Sequence, residues 1–194
     1  MEKITFVIPS RNNLEFLRLA YESLRELKTK HEILVLNDAS TDGTKEWLDS
    51  LDDENVIVHH NPGPERIGIV GMFDKGIEMS NNDIICAYHA DMVAAPNLDK
   101  NLLKHLKPGT VVTATRVEPP LHPPGNEKIT LNFGVEVETF DKGDWEMFCN
   151  EAIKSNKVTE GIFAPWCMYK KDFFAIGGHD ILFAPQSKED SDLF

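Results

Sequence analysis

Ile33-Leu34-Val35-Leu36-Asn37-Asp38-Ala39-Ser40-Thr41-Asp42-Gly43-Thr44 decides the fold. An unbroken apolar run gives way to a loop of small polar residues, after which Thr44, Trp47, Leu48 and Leu51 recur at i, i+3, i+4 and i+7, the period of a helix. A run that is apolar at every position, rather than at every second one, is a strand buried on both faces, as in a parallel sheet covered by helices. The polar loop then leaves the carboxyl end of its strand, where open sheets of this kind bind ligands.

The same unit lies on either side. Upstream, Ile4 to Ile8 runs into Pro9-Ser10-Arg11-Asn12, and Leu14, Leu17, Tyr21, Leu24 and Leu27 follow at helical spacing. Asn12 with Glu15 three positions on is read as the start of that helix, a capping-box-like pair. Downstream, Val56 to Val58 is a short strand, Val70, Phe73 and Ile77 mark a helix face, and Ile84 to Tyr88 is a further buried strand after the Asn81-Asn82-Asp83 turn. The alternation βαβαβαβ through residue 88 predicts an α/β fold with a mostly parallel central sheet and helices on both faces. Pro9 to Asn12, Asn37 to Gly43 and His89-Ala90-Asp91 all fall at carboxyl ends of strands, so a shared site is expected there.

Beyond Asp91 the pattern changes. Leu98, Leu102 and Leu106 predict a helix and Thr110 to Thr115 a strand, whereas Val117 to Asn126, with four prolines in ten residues, reads as a loop. Ile129, Leu131, Phe133, Val135 and Val137 alternate with other residues and predict a strand with two different faces. Trp145, Phe148 and Ala152 restart a helix, and another short one runs through Phe173 and Phe174 to Gly177-Gly178. With no internal repeat or composition shift, residues 1–194 read as one domain. The closing run Lys188-Glu189-Asp190-Ser191-Asp192-Leu193-Phe194 reads as a chain cut within an element.

Composition narrows the function. Twenty Lys and Arg against 32 Asp and Glu leave a net charge of −12, which disfavours nucleic acid and anionic membrane surfaces as partners. Cys86, Cys149 and Cys167 are an odd count without a CxxC, so buried, reduced thiols are expected rather than disulfides or a zinc knuckle. Met1-Glu2-Lys3 leads straight into the first strand without a signal peptide, and no apolar run approaches the ~20 residues of a membrane helix, so a cytoplasmic protein is expected.

Several residues carry chemistry. Asp38 could accept hydrogen bonds from a base or ribose, while its neighbours Ser40, Thr41 and Asp42 equally suit helix capping. His89 and Asp91, at i and i+2 of an extended segment, would point the same way toward a metal-bound diphosphate. Mg²⁺ or Mn²⁺ would use the Asp91 carboxylate, phosphate oxygens and retained waters, and His89 is either a ligand or a polar residue satisfied at a strand end. Arg11 and Arg66 could pair with phosphates. A carboxylate in Glu189-Asp190 could act as a general base, although an acidic run is more often a solvated surface. His59, His60 and His122 have no partner spacing and read as surface or core histidines.

Val7-Ile8-Pro9-Ser10-Arg11-Asn12, Leu36 to Thr44, Gly76-Ile77 ahead of the strand into His89-Ala90-Asp91, and Phe174-Ala175-Ile176-Gly177-Gly178 with Glu189-Asp190 together resemble, in order, family 2 glycosyltransferases of the GT-A fold. The resemblance implies a metal-dependent, inverting transfer of a sugar from a nucleoside-diphosphate sugar, a UDP-sugar first, to the hydroxyl of a glycan, lipid-linked or protein acceptor. It implies a nucleotide-sugar-binding part over about residues 1–95 and an incomplete acceptor side over about 96–194. It places Pro9, Ser10, Arg11, Asp38, Arg66, His89 and Ala90 at the nucleotide, Asp91 at Mn²⁺ or Mg²⁺, and Asp190 with Glu189 at the catalytic base. The family's usual Asp-x-Asp is here His89-Ala90-Asp91. That departure and the early end of the chain motivate the alternative, a nucleotide-sugar-binding module without catalysis or an inactive glycosyltransferase fragment. A nucleotidyltransferase would want a glycine-rich loop after the first strand, and a dinucleotide dehydrogenase a G-x-G-x-x-G; neither is present.

Overall fold

A computed structural model of the chain describes residues 2–126, 128–152, 163–185 and 193. The strands are β1 (Ile4–Ser10), β2 (Glu32–Asp38), β3 (Val56–Asn61), β4 (Ile84–Ala87), β5 (Val112–Thr113), β6 (Arg116–Glu118), β7 (Lys128–Thr130) and β8 (Trp166–Tyr169). The helices are α1 (Leu14–Arg25), α2 (Thr44–Asp49), α3 (Ile69–Met79), α4 (Leu98–His105), α5 (Lys142–Ala152) and α6 (Lys170–Ala175), with 3₁₀ turns at Val137–Thr139 and Ile181–Phe183.

Six strands form one sheet in the order β3-β2-β1-β4-β8-β5, and β6 pairs with β7 separately. The first four run parallel, while β8 is antiparallel to both β4 and β5. The chain winds outward from β1 to β3 and then returns to place β4 on the other side of β1. That reversal opens a crevice beyond the carboxyl ends of β1 and β4, the position where such sheets bind ligands.

Helices cover both faces. On one, Leu17, Ala20 and Leu24 of α1, Leu48 of α2, and Leu98 and Leu102 of α4 pack with Phe6, Ile33 and Cys86. On the other, Met72, Phe73 and Ile77 of α3 and Phe173 of α6 pack with Val7, Leu34, Leu36 and Trp166. Each fully buried aliphatic or aromatic side chain contributes about 1.5–3 kcal/mol, so these two layers hold the loops above them. α3 lies unusually close to the sheet: a Cβ at Gly76 would come within 2.4 Å of Val7 Cγ1 and 2.6 Å of Leu36 Cδ1. All three cysteines are buried and free, as expected.

The structure corrects four sequence readings. The expected strand at 110–115 is reduced to Val112–Thr113, and the one expected from Ile129 to Val137 stops at Thr130. Gly134 has φ +122, and a Cβ there would meet Thr139 O at 2.4 Å, so the backbone turns where the side-chain alternation continues. Phe133 instead joins Trp145 and Phe148 in an aromatic cluster. β8 has no counterpart in the sequence reading. α1 begins after Asn13, not Asn12; Asn12 stands outside the helix at φ +49.

Candidate active site

The β1–α1 and β2–α2 loops are laced together by side chains that replace missing helix bonds. A helix leaves its first backbone N–H groups without partners. Here one carboxylate serves two helices: Asp42 Oδ2 accepts from Leu14 N–H at 3.0 Å, and Asp42 Oδ1 accepts from Thr44 N–H at 3.2 Å and from Thr44 Oγ1 at 2.6 Å. Asn12 Oδ1 accepts from Thr41 N–H at 2.7 Å, and Ser40 Oγ accepts from Asn12 N–H at 3.0 Å. Arg11, otherwise exposed, donates through Nη1 to the Asp38 carbonyl oxygen at 2.9 Å. Burial alone would raise the Asp42 pKa, yet the donors from Thr44 and Leu14 hold it below the usual carboxylate range.

Asp38 ends β2 and is 4% exposed. Its carboxylate is held on both oxygens: Oδ1 accepts from Asn61 Nδ2 at 2.7 Å and from Ile67 N–H at 2.8 Å, and Oδ2 accepts from Gly68 N–H at 2.8 Å. Burial raises its pKa, but the Ile67 N–H, the Asn61 amide and the Gly68 N–H outweigh it, with the Arg11 charge alongside, and the carboxyl stays ionised below its ordinary range. Gly68 is the residue that permits this cradle. Its φ is +91, and a Cβ would lie 2.5 Å from the Pro185 carbonyl oxygen, which accepts from Ile69 N–H at 2.8 Å. Pro185 thus lies against Gly68 and the start of α3.

At the end of β4, His89 and Asp91 are not on an extended segment. Met92 N–H donates to the His89 carbonyl oxygen at 3.3 Å, closing a turn over Ala90 and Asp91. The alternation argument for a shared direction therefore fails. Both residues nevertheless line one cavity of about 520 Å³, together with Tyr88, Phe16, Arg116 and Trp145. Asp91 is exposed at it and Ala90 is buried. The His89 ring stacks on Phe73, centroids 6.0 Å apart, and among the described residues its buried Nε2 has no hydrogen-bond partner.

This donor set fits a hard divalent cation only in one manner. Among the described residues no group of three or more His, Cys, Asp and Glu side chains could hold a metal ion by itself. Magnesium-type ions bind through one or two carboxylates plus substrate phosphates and waters, a mode that the exposed Asp91, lining the same cavity as His89, can serve.

The structure brings Pro9, Ser10, Arg11 and Asp38 together at the ends of β1 and β2, next to His89, Ala90 and Asp91 after β4. Ser10 is buried, and its Oγ has no partner among the described residues. Arg66 is exposed on the segment whose next two N–H groups hold Asp38. Glu189 and Asp190 lie outside the described residues. The sequence reading missed Asn61 and the Ile67–Gly68 amides, which meet Asp38 from 23 to 30 residues away. The glycine at 68 was the available signal, and it is a weak one.

No described helix is long and apolar enough to cross a membrane. The chain is 29% identical over 121 residues to an undecaprenyl-phosphate mannosyltransferase of Micrococcus luteus, a match that covers 60% of this chain and 49% of that protein. The chain thus spans about half the length of that curated relative. Among solved structures, it is similar to the mannosyltransferase PcManGT from Pyrobaculum calidifontis in complex with GDP-Man and Mn²⁺, at TM-score 0.64 and 16% identity over 98% of this chain and 50% of that one. It is also similar to GalNAc-T7 with UDP, GalNAc and Mn²⁺, at TM-score 0.68 and 18% identity over 98% of this chain and 39% of that one. At these identities the likeness is one of fold, and the fold is GT-A. The model of glycosyl transferase family 2 matches residues 5–168, from within β1 to within β8. A match of that extent, over a sheet that reverses at the site just described, means that the chain belongs to glycosyl transferase family 2.

Proposed function

We propose that the chain carries the donor site of a glycosyltransferase that moves a sugar from a nucleoside-diphosphate sugar to an acceptor hydroxyl with inversion. The observation that carries this reading is the crevice at the sheet reversal, where the ionised, rigidly held Asp38 and the exposed Asp91 flank the joined loops. The base and ribose would lie against Pro9, Ser10, Arg11 and Asp38, and the diphosphate toward Ala90 and Asp91, with Arg66 and His89 at its edges. The donor placed first is a UDP-sugar, although both a GDP-mannose and a UDP complex occur among the fold neighbours. Mn²⁺ or Mg²⁺ held by Asp91 and the diphosphate would neutralise charge on the leaving group.

The cavity of about 520 Å³ beyond His89 and Asp91 supports an acceptor entering from the side of Arg116 and Trp145. In the displacement, the acceptor oxygen forms its bond to the anomeric carbon as the bond to the diphosphate breaks, and the acceptor proton passes to the Asp190 carboxylate, with Glu189 beside it. The contact of Pro185 with Gly68 and Ile69 supports this assignment, because Pro185 precedes Asp190 by only five residues in the sequence. Glycan, lipid-linked and protein hydroxyls all suit the chemistry.

Asp190→Asn should abolish sugar transfer to an acceptor panel while leaving nucleotide affinity within about twofold, since the amide keeps size and loses basicity. Retained turnover would remove Asp190 as the base. A chain that binds nucleotide sugar and transfers it to no acceptor would favour the binding-module reading, to which the single carboxylate of His89-Ala90-Asp91 already lends support.

A further inference from the structure

His60, near the end of β3, sits beside Asn37 of β2 in the parallel register and faces Asp49 at the end of α2. The contacts around it fix every proton. The backbone N–H of Ser40 can only donate, and its acceptor is Asn37 Oδ1 at 3.1 Å. The other end of that amide, Nδ2, is therefore the atom 3.0 Å from His60 Nδ1, and an amide nitrogen can only donate. Nδ1 then carries the lone pair and Nε2 the proton, which points at Asp49 Oδ1, 3.0 Å away. Lys45 pairs with the other oxygen of Asp49 and keeps that carboxylate in place. Ser40, at the far end, accepts from Asn12 N–H through Oγ and so joins the β1–α1 loop to the chain of contacts.

We infer that His60 is a positioning residue for the donor loop: its neutral Nε2–H ring orients the Asn37 amide, and Asn37 holds Ser40 and thereby the loop between β2 and α2. The inference rests on the reading of that loop as part of the nucleotide site. Asn37 is 2% exposed, so no bulk water stands ready to replace a lost partner. Neither His60 nor Asn37 is given a role by the family motifs, and nothing in their spacing of 23 residues marks them as a pair.

Two substitutions separate positioning from mere packing. His60→Gln offers an oxygen to accept from Asn37 and an NH₂ to donate to Asp49, whereas His60→Leu offers neither. Amide hydrogen exchange at Ser40 in the full, ligand-free chain should be roughly tenfold faster in His60→Leu, the loss of one hydrogen bond, and near wild type in His60→Gln. Affinity for UDP or GDP with Mn²⁺ should follow the same order, weakened roughly tenfold by leucine and restored by glutamine. Unchanged Ser40 exchange in His60→Leu, or equal losses in both variants, would overturn the inference. So would nucleotide affinity indifferent to a faster Ser40. If His60→Leu does not fold, ¹⁵N spectra of the wild-type ring decide: a protonated Nδ1 at pH 8 contradicts the arrangement. A wild-type chain that binds no nucleotide would bring down the proposed function, and exchange together with the ring spectra would still decide whether His60 holds the loop.

Discussion

Asp38 shows how one side chain can be legible in kind and illegible in detail. Its place after a buried strand marks it as a candidate site residue, but its three donors come from Asn61, Ile67 and Gly68, contacts that no local pattern encodes. Asp38→Ala would leave the backbone N–H groups of Gly68, which is buried, and of Ile67, whose bond to Asp38 is part-buried, without an acceptor, at up to ~1–3 kcal/mol each. We expect a loss of about 3 kcal/mol and a fall in Tm of roughly 6–12 °C, read by thermal unfolding. A second buried residue, His31, is expected to contribute to acid stability. His31 Nδ1 accepts from Ile4 N–H at 3.1 Å, so Nε2–H faces Asp99 Oδ2 at 3.1 Å and the ring is neutral. Burial depresses its pKa despite the hydrogen bond to Asp99. A base depressed in the folded state contributes stability that is full above its ordinary value of 6.5 and is lost as pH falls through the lower folded value. His31→Gln, which can make both bonds without titrating, should flatten the stability-pH curve below 6.5 in denaturant titrations. An unchanged slope would remove His31 as its source.

At the scale of elements, the strands that were legible are those buried on both faces, Ile33 to Leu36 and Ile84 to Tyr88, because burial forces an unbroken apolar run. β8 was not, since four residues after Pro165 carry too little pattern and its partner β4 lies some 80 residues earlier. The alternation from Ile129 to Val137 misled because aromatic packing around Phe133 copies the period of a strand without its backbone. α3 offers a test of the helix–sheet contact. Gly76→Ala gains ~1 kcal/mol of helix propensity but drives a methyl into Val7 and Leu36, which are fully buried, at about 1–3 kcal/mol. A net loss of about 1 kcal/mol is expected by chemical denaturation; a stabilised variant would mean that α3 can lift from the sheet.

Across the whole molecule, the reversal of strand order does what no single motif does: it sets the loops after β1, β2 and β4 around one crevice. A shared site at these loops followed from the alternation of strands and helices, while the strand order, the turn at His89 to Met92 and the lining of the cavity beyond it did not, the last depending on contacts between distant segments. The chain carries a net charge of −12, so the proposed anionic donor would have to be drawn by local groups rather than by the general field. Arg11, the backbone amides and, in the proposed site, a cation held by Asp91 would be those groups. Calorimetric titration of UDP and GDP, with and without Mn²⁺, on the chain and on Asp91→Ala tests this most directly. Binding should require Mn²⁺ and weaken at least about tenfold in Asp91→Ala, because that carboxylate would be the protein's main hold on the ion. A folded chain that binds neither nucleotide, or binds equally well without Mn²⁺ and in Asp91→Ala, would contradict it.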